Sequence, residues 1–86
     1  MNKFIDFKNF LKKSNILLFD GEYRIAHYNY LQIVNSLEQK GGSNNSSDFL
    51  ANKIKKYGDN FFRIFIDSLV KNNTQRIEYI LEKINN

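Results

Sequence analysis

The chain has no cysteine, no proline and no tryptophan, and its 86 residues include one histidine, one methionine and four glycines. Without cysteine neither a disulfide framework nor a thiolate metal site can form, and the lack agrees with a reducing compartment, so we expect a cytoplasmic protein. His27 has no second His, Cys or carboxylate at metal-ligand spacing, and a nucleophilic triad needs a nearby Ser and a third orienting group that the pattern does not supply. No metal and no cofactor are expected. The longest aliphatic stretch, Ile16-Leu17-Leu18-Phe19, is far short of the roughly 20 residues of a membrane-spanning helix, and charge interrupts Met1 to Lys8. Neither a signal peptide nor a transmembrane segment is expected. Gly41-Gly42-Ser43 lacks the Gly-Lys-Ser/Thr ending of a phosphate loop and follows a helical pattern where such a loop follows a strand, which disfavours a nucleotide site.

Against these absences stand 42% hydrophobic and 15% aromatic residues, too apolar for a disordered chain, with 26% charged residues to keep the surface wet. A chain this short buries only about 60–65% of its unfolded surface, so residues 1–86 form one domain with one core and little room for a catalytic cavity. The net charge of +4 favours acidic partners, although Asp and Glu are interspersed and no block of about five or six like charges occurs.

The strongest periodicity lies at the C-terminal end. Phe62, Phe65, Ile66 and Leu69 recur at helical spacing, as do Ile77, Ile80, Leu81 and Ile84, and Lys71-Asn72-Asn73-Thr74 between them offers a C-cap Asn and a Thr N-cap. A helical hairpin with an apolar seam is predicted. Upstream, Phe4, Phe7, Phe10 and Leu11 mark a helix from about Lys3 to Lys13 that ends at Ser14-Asn15. Ile16 to Phe19 reads as a short apolar connector, and Asp20-Gly21 as the cap of a second helix from about Glu22 to Gln39, with Tyr23, Ala26, Tyr30, Ile33, Val34 and Leu37 inward. Residues 40–46, rich in Gly, Ser and Asn, read as a flexible surface loop. Ser47-Asp48 opens a third helix with Leu50, Ile54 and Tyr57 on one face, Gly58 takes a left-handed C-terminal position, and Asp59-Asn60 caps a fourth helix. The expected fold is all-α, a compact antiparallel bundle of about five to six helices. Its core is expected to contain Phe4, Phe7, Leu11, Leu18, Ile33, Val34, Leu50, Ile54, Phe62, Phe65, Leu69, Ile77 and Ile80.

Acid–base catalysis needs two polarised groups converging in a cleft, whereas the carboxylates here fall at helix starts or on polar faces, Asp20, Asp48 and Asp59 reading as caps. No enzymatic activity is expected. For nucleic acid the candidates are Lys53, Lys55, Lys56 and Arg63 as a basic face and Tyr28 and Tyr30 as stacking residues, but three lysines in four positions wrap around a helix and do not track one groove.

As a whole the chain resembles the death-fold superfamily, most closely its death-effector-domain branch and next its caspase-recruitment branch. Phe7-x-x-Phe10-Leu11 followed by Leu18-Phe19-Asp20-Gly21-Glu22-Tyr23 is similar to the family's first two helices. Phe62-x-x-Phe65-Ile66-x-x-Leu69 leading into Arg76-Ile77-Glu78-Tyr79 is similar to its last two and to its R-x-D-L element, with Glu in place of Asp and Tyr in place of Leu. The resemblance implies a surface charge network of Glu22, Arg76 and Glu78, and a non-catalytic module that associates with like domains in signalling assemblies. The alternative is a small basic helical protein of phage, plasmid or microbial origin that binds and inhibits a host protein or nucleic acid.

Overall fold

The Phe62, Phe65, Ile66 and Leu69 repeat becomes the inner face of one helix, α4 (Asp59–Lys71), and all four side chains are buried. In the computed structural model, which describes residues 3–39 and 49–85, this helix is joined by α1 (Lys3–Lys13), α2 (Asp20–Gln39), α3 (Phe49–Lys55) and α5 (Thr74–Asn85). The described residues contain no strand, so the fold is all-α as the periodicity predicts. The expected flexible loop at 40–46, the Ser47-Asp48 helix start and the inward side chain of Leu37 lie outside the described residues and side chains.

Packing converges on α4. The Phe10 ring of α1 meets Phe62 edge-on at 5.7 Å, and Tyr30 of α2 meets Phe65 edge-on at 6.4 Å. Of the expected core, Phe7, Leu11, Leu50, Ile54, Phe62, Phe65, Leu69, Ile77 and Ile80 are buried, while Phe4, Leu18, Ile33 and Val34 are half-buried and pack against it. Ile16, Tyr23, Ala26, Tyr30, Ala51, Ile66 and Ile84 complete it. Tyr57 departs from expectation. Its side chain is exposed, because α3 ends at Lys55 and Tyr57 falls in the turn that follows, stacked beside Phe61 at 5.5 Å. Tyr30, expected as a stacking residue for bases, is 1% exposed and unable to meet a ligand.

With no proline to stop helices, asparagine does so. Asn15 (φ 62°) and Asn72 (φ 51°) sit in the left-handed region, where Asn's short polar side chain is tolerated better than most. After Asn15, the Ile16 N–H donates to Leu11 O and the Asn15 N–H to Lys12 O; after Asn72, the Asn73 N–H donates to Ser68 O and the Asn72 N–H to Leu69 O. Both α1 and α4 therefore close in a Schellman motif, which satisfies their last carbonyls.

The helix starts correct three expectations. Asp20, Asp59 and Thr74 are not caps but the first residues of α2, α4 and α5, where the carboxylates face the positive helix end. Phe19 caps α2 through its backbone, Gly58 caps α4 with no side-chain bond, and Asn73 caps α5, its Oδ1 accepting the Arg76 N–H at 3.2 Å. Gly58 is not a left-handed helix terminus either: at φ 123°, ψ 159° it is an extended conformation nearly restricted to glycine, and it turns the chain from α3 into α4.

These positions make two predictions about stability. Phe65→Ala, which empties the centre of the seam, should cost on the order of 3–5 kcal/mol in urea denaturation; an unchanged midpoint would show the seam is not central. The two described glycines should respond with opposite sign. A Cβ at either meets nothing within 4 Å, so only backbone preference decides. Gly21→Ala, inside the first turn of α2, should stabilise by about 0.5–1 kcal/mol, whereas Gly58→Ala should destabilise by about 1–3 kcal/mol.

Candidate functional site

Of the three charged residues of the expected interaction face, Glu22 and Arg76 have separate local roles. Glu22 sits in the first turn of α2 and reaches back, its Oε1 accepting the Phe19 N–H at 3.0 Å, which is half of a capping box. Arg76, in the first turn of α5, donates from Nη1 to Asp67 Oδ2 of α4 at 2.9 Å, and Lys71 approaches the same oxygen at 3.4 Å. Asp67 thus clamps both arms of the C-terminal hairpin. Burial works to raise its pKa, but the hydrogen bonds from Arg76 and Lys71, and the charge behind them, outweigh that and hold the carboxyl below its ordinary value. Glu78 is exposed, with no hydrogen bond or ion pair among the described residues. No ion pair joins Glu22, Arg76 and Glu78 to one another among the described residues; Arg76 finds its carboxylate on α4 instead.

The basic residues are divided too. Lys55 Nζ donates to Ser14 Oγ at 2.8 Å and lies 5.2 Å from the centre of the Phe10 ring, so it ties the end of α3 to the end of α1. Lys53 is half-buried, and Lys56 and Arg63 are exposed. Other cations lie over rings as well: Arg24 over Phe4 at 4.6 Å, Lys8 over Tyr23 at 5.4 Å and Lys83 over Tyr79 at 5.8 Å. The single imidazole, His27, is half-buried against Phe4 and Phe7, with ring centres 5.6 and 5.1 Å away, and burial pushes its pKa below the ordinary 6.5. Its neighbours are aromatic, which makes it a packing group. Among the described residues no cluster of three His, Cys, Asp or Glu is arranged to hold a metal ion, and no helix is long and apolar enough to cross a membrane.

A concave feature of the surface lies elsewhere, between α2 and α5. It is an open groove of about 470 Å³ with Ile33, Ile77 and Leu81 among its apolar lining, Tyr28 beside them, and Asn29, Gln32, Ser36, Asn72 and Thr74 supplying polar groups. Glu78 is its one carboxylate. Asn29 is held there by donating from Nδ2 to Leu69 O at 2.7 Å, which also secures the end of α4 against α2. Periodicity places Ile33 and Ile77 in the core and Glu78 on a charged face; that they line one groove depends on two helices separated in the chain by α3 and α4. Compared with protein-family models, with curated proteins and with solved structures, the chain matches none.

The two shifted groups make separable pH predictions. His27 holds a proton less readily in the folded state than in the unfolded chain, so the unfolded chain takes up more protons and stability should decline as pH falls below 6.5. Asp67 acts lower: its contribution is present above 3.8 and is lost as pH falls from there through the folded value. Urea midpoints measured across pH should show the upper slope flattened in His27→Gln and the lower slope flattened in Asp67→Asn. Unaltered slopes in these variants would remove either group as a source of the dependence.

Proposed function

We propose that the protein is a non-catalytic protein-interaction domain that receives an amphipathic helix of a partner in the α2–α5 groove. The observation that carries the reading is the groove's makeup: apolar side chains in its lining, amide and hydroxyl groups around them, and the unpaired Glu78 carboxylate. That is the makeup of helix-in-groove recognition, in which apolar anchors at i, i+3 and i+4 give affinity and a few polar groups fix orientation. Glu78 selects the charge of the occupant. A lysine or arginine flanking the anchors gains an ion pair with it, whereas an acidic helix is opposed. With one carboxylate and no imidazole or thiol, the groove offers no acid–base pair, which favours binding over chemistry. The death-fold resemblance agrees with an interaction module, and Glu78 belongs to both its expected charge network and the groove.

The test is selection of helical peptides from a displayed library, followed by chemical-shift mapping and calorimetry. Peptides with apolar anchors and a basic flank should perturb Tyr28, Ile33, Ile77 and Leu81. Glu78→Lys and Tyr28→Ser, both exposed positions, should each weaken binding at least about tenfold with the helical circular dichroism intact. Binders that map outside the groove would overturn its assignment. Peptide binding lost in Arg76→Glu but kept in Glu78→Lys would transfer the surface to the Arg76–Asp67 clamp, and concentration-dependent dimerisation in sedimentation would favour association with a like domain.

A further inference from the structure

The α1–α2 connector reads in sequence as uniformly apolar, yet only half of it is covered. Ile16 is buried and Leu18 half-buried, but Leu17 is 72% exposed and Phe19 81% exposed. They are not loose. The Tyr23 hydroxyl donates to Ile16 O at 3.1 Å and accepts the Leu18 N–H at 3.0 Å, while the Phe19 N–H is held by Glu22. In an extended backbone alternate side chains point to opposite sides, so fixing Ile16 and Leu18 inward sends Leu17 and Phe19 outward.

Lysine surrounds this tip. Lys12 and Lys13 are exposed in the last turn of α1, and the Lys55 hydrogen bond to Ser14 brings the end of α3, with exposed Lys56 and Tyr57 after it, to the same end of the molecule. Of the carboxylates that follow the connector, Asp20 is paired with Lys8 at 3.3 Å and Glu22 is engaged in the cap. A large aliphatic and a large aromatic side chain standing free among lysines match the two requirements of peripheral membrane attachment, apolar insertion and attraction to anionic headgroups.

We propose that this end of the molecule binds an anionic lipid surface, with Leu17 and Phe19 entering the acyl boundary and Lys12, Lys13 and Lys56 facing the headgroups. Two observations favour lipid over a protein or nucleic acid partner. The apolar pair protrudes, and a fluid phase accepts a protrusion without a matching pocket. The exposed cations at the end of α1 and just after α3, Lys12, Lys13 and Lys56, are moreover lysines, flexible point charges suited to headgroups, without the planar fork of arginine that favours bidentate recognition.

Co-sedimentation with vesicles of phosphatidylserine and phosphatidylcholine in equal parts tests the proposal, with pure phosphatidylcholine vesicles as the neutral comparison. The protein should bind the mixed vesicles and not the neutral ones. Leu17→Ser with Phe19→Ser should reduce binding about tenfold or more, and Lys12→Ala with Lys13→Ala by about fivefold per lysine. Folding should survive the first pair, since both side chains are exposed and serine is a favoured N-cap at position 19. Because the chain has no tryptophan, Phe19→Trp provides a single indole whose emission should shift to the blue on vesicle binding. Absence of vesicle binding, binding indifferent to the Leu17 and Phe19 substitutions, or an unshifted indole emission from the bound Phe19→Trp variant would each overturn the proposal. So would binding of a single-stranded oligonucleotide that depends on the same residues while vesicles are ignored.

Discussion

Tyr30 is where four helices of this small molecule meet. Its ring lies 5.0 Å from that of Phe7 on α1 and 6.4 Å from that of Phe65 on α4, and its hydroxyl accepts the Ala51 N–H of α3 at 3.2 Å. The last contact matters most for the architecture. The described part of α3 covers seven residues, Phe49–Lys55, and a helical segment of that length depends on packing for its stability. A hydroxyl buried at the centre of α2 accepts one of the first described N–H groups of α3 and so ties this end of α3 to α2. A Phe at this position would keep the packing and lose that hydrogen bond, at a cost of about 0.5–1.5 kcal/mol. As built, every buried side-chain nitrogen and oxygen among the described residues has a hydrogen-bond partner.

Helices and core are largely legible in the sequence because apolar spacing is set by the same 3.6-residue period that sets burial. Helix caps are misplaced by one residue for a physical reason. Asp and Thr serve well both as caps and as first-turn residues, so composition alone does not distinguish N-cap from the position after it. At α2 the cap is the backbone of Phe19 while Glu22 three residues later carries the side-chain bond, and at α5 the neighbouring Asn73 takes the role expected of Thr74. Asparagine is readable as the helix terminator at Asn15 and Asn72, where a chain poor in glycine and lacking proline has few other means of turning.

The candidate surfaces are less legible, because exposure is a property of neighbours. Ile16 to Phe19 is uniformly apolar on paper, yet the Tyr23 hydroxyl sorts it into inward and outward residues from seven positions downstream. Arg76 belongs with Asp67, a residue that periodicity leaves on a polar face, because the hairpin turn brings α5's first turn beside α4's last. The excess of positive charge has a similar explanation. With fewer carboxylates than cations, several cations lie on aromatic rings, which a sequence rich in Phe and Tyr provides without fixing in advance which ring meets which cation.

The groove and the apolar tip are connected by one rigid element. Phe19 caps α2, and the groove residues of that helix begin at Tyr28 and end at Ser36, so at the helical rise the two surfaces lie about 14–26 Å apart along its axis. That separation exceeds the depth of about 5–10 Å to which an interfacial segment enters a bilayer, so an occupied groove and an inserted tip do not compete for space. It also exceeds the Debye length of about 8 Å at physiological salt, so the lysines near the tip act little on the charge of a helix docked at Glu78. Coupling along α2 would meet its middle, which Tyr30 locks to three other helices. The physical expectation is therefore two independent surfaces on one scaffold, with affinities that multiply only where a membrane and a partner helix are presented together.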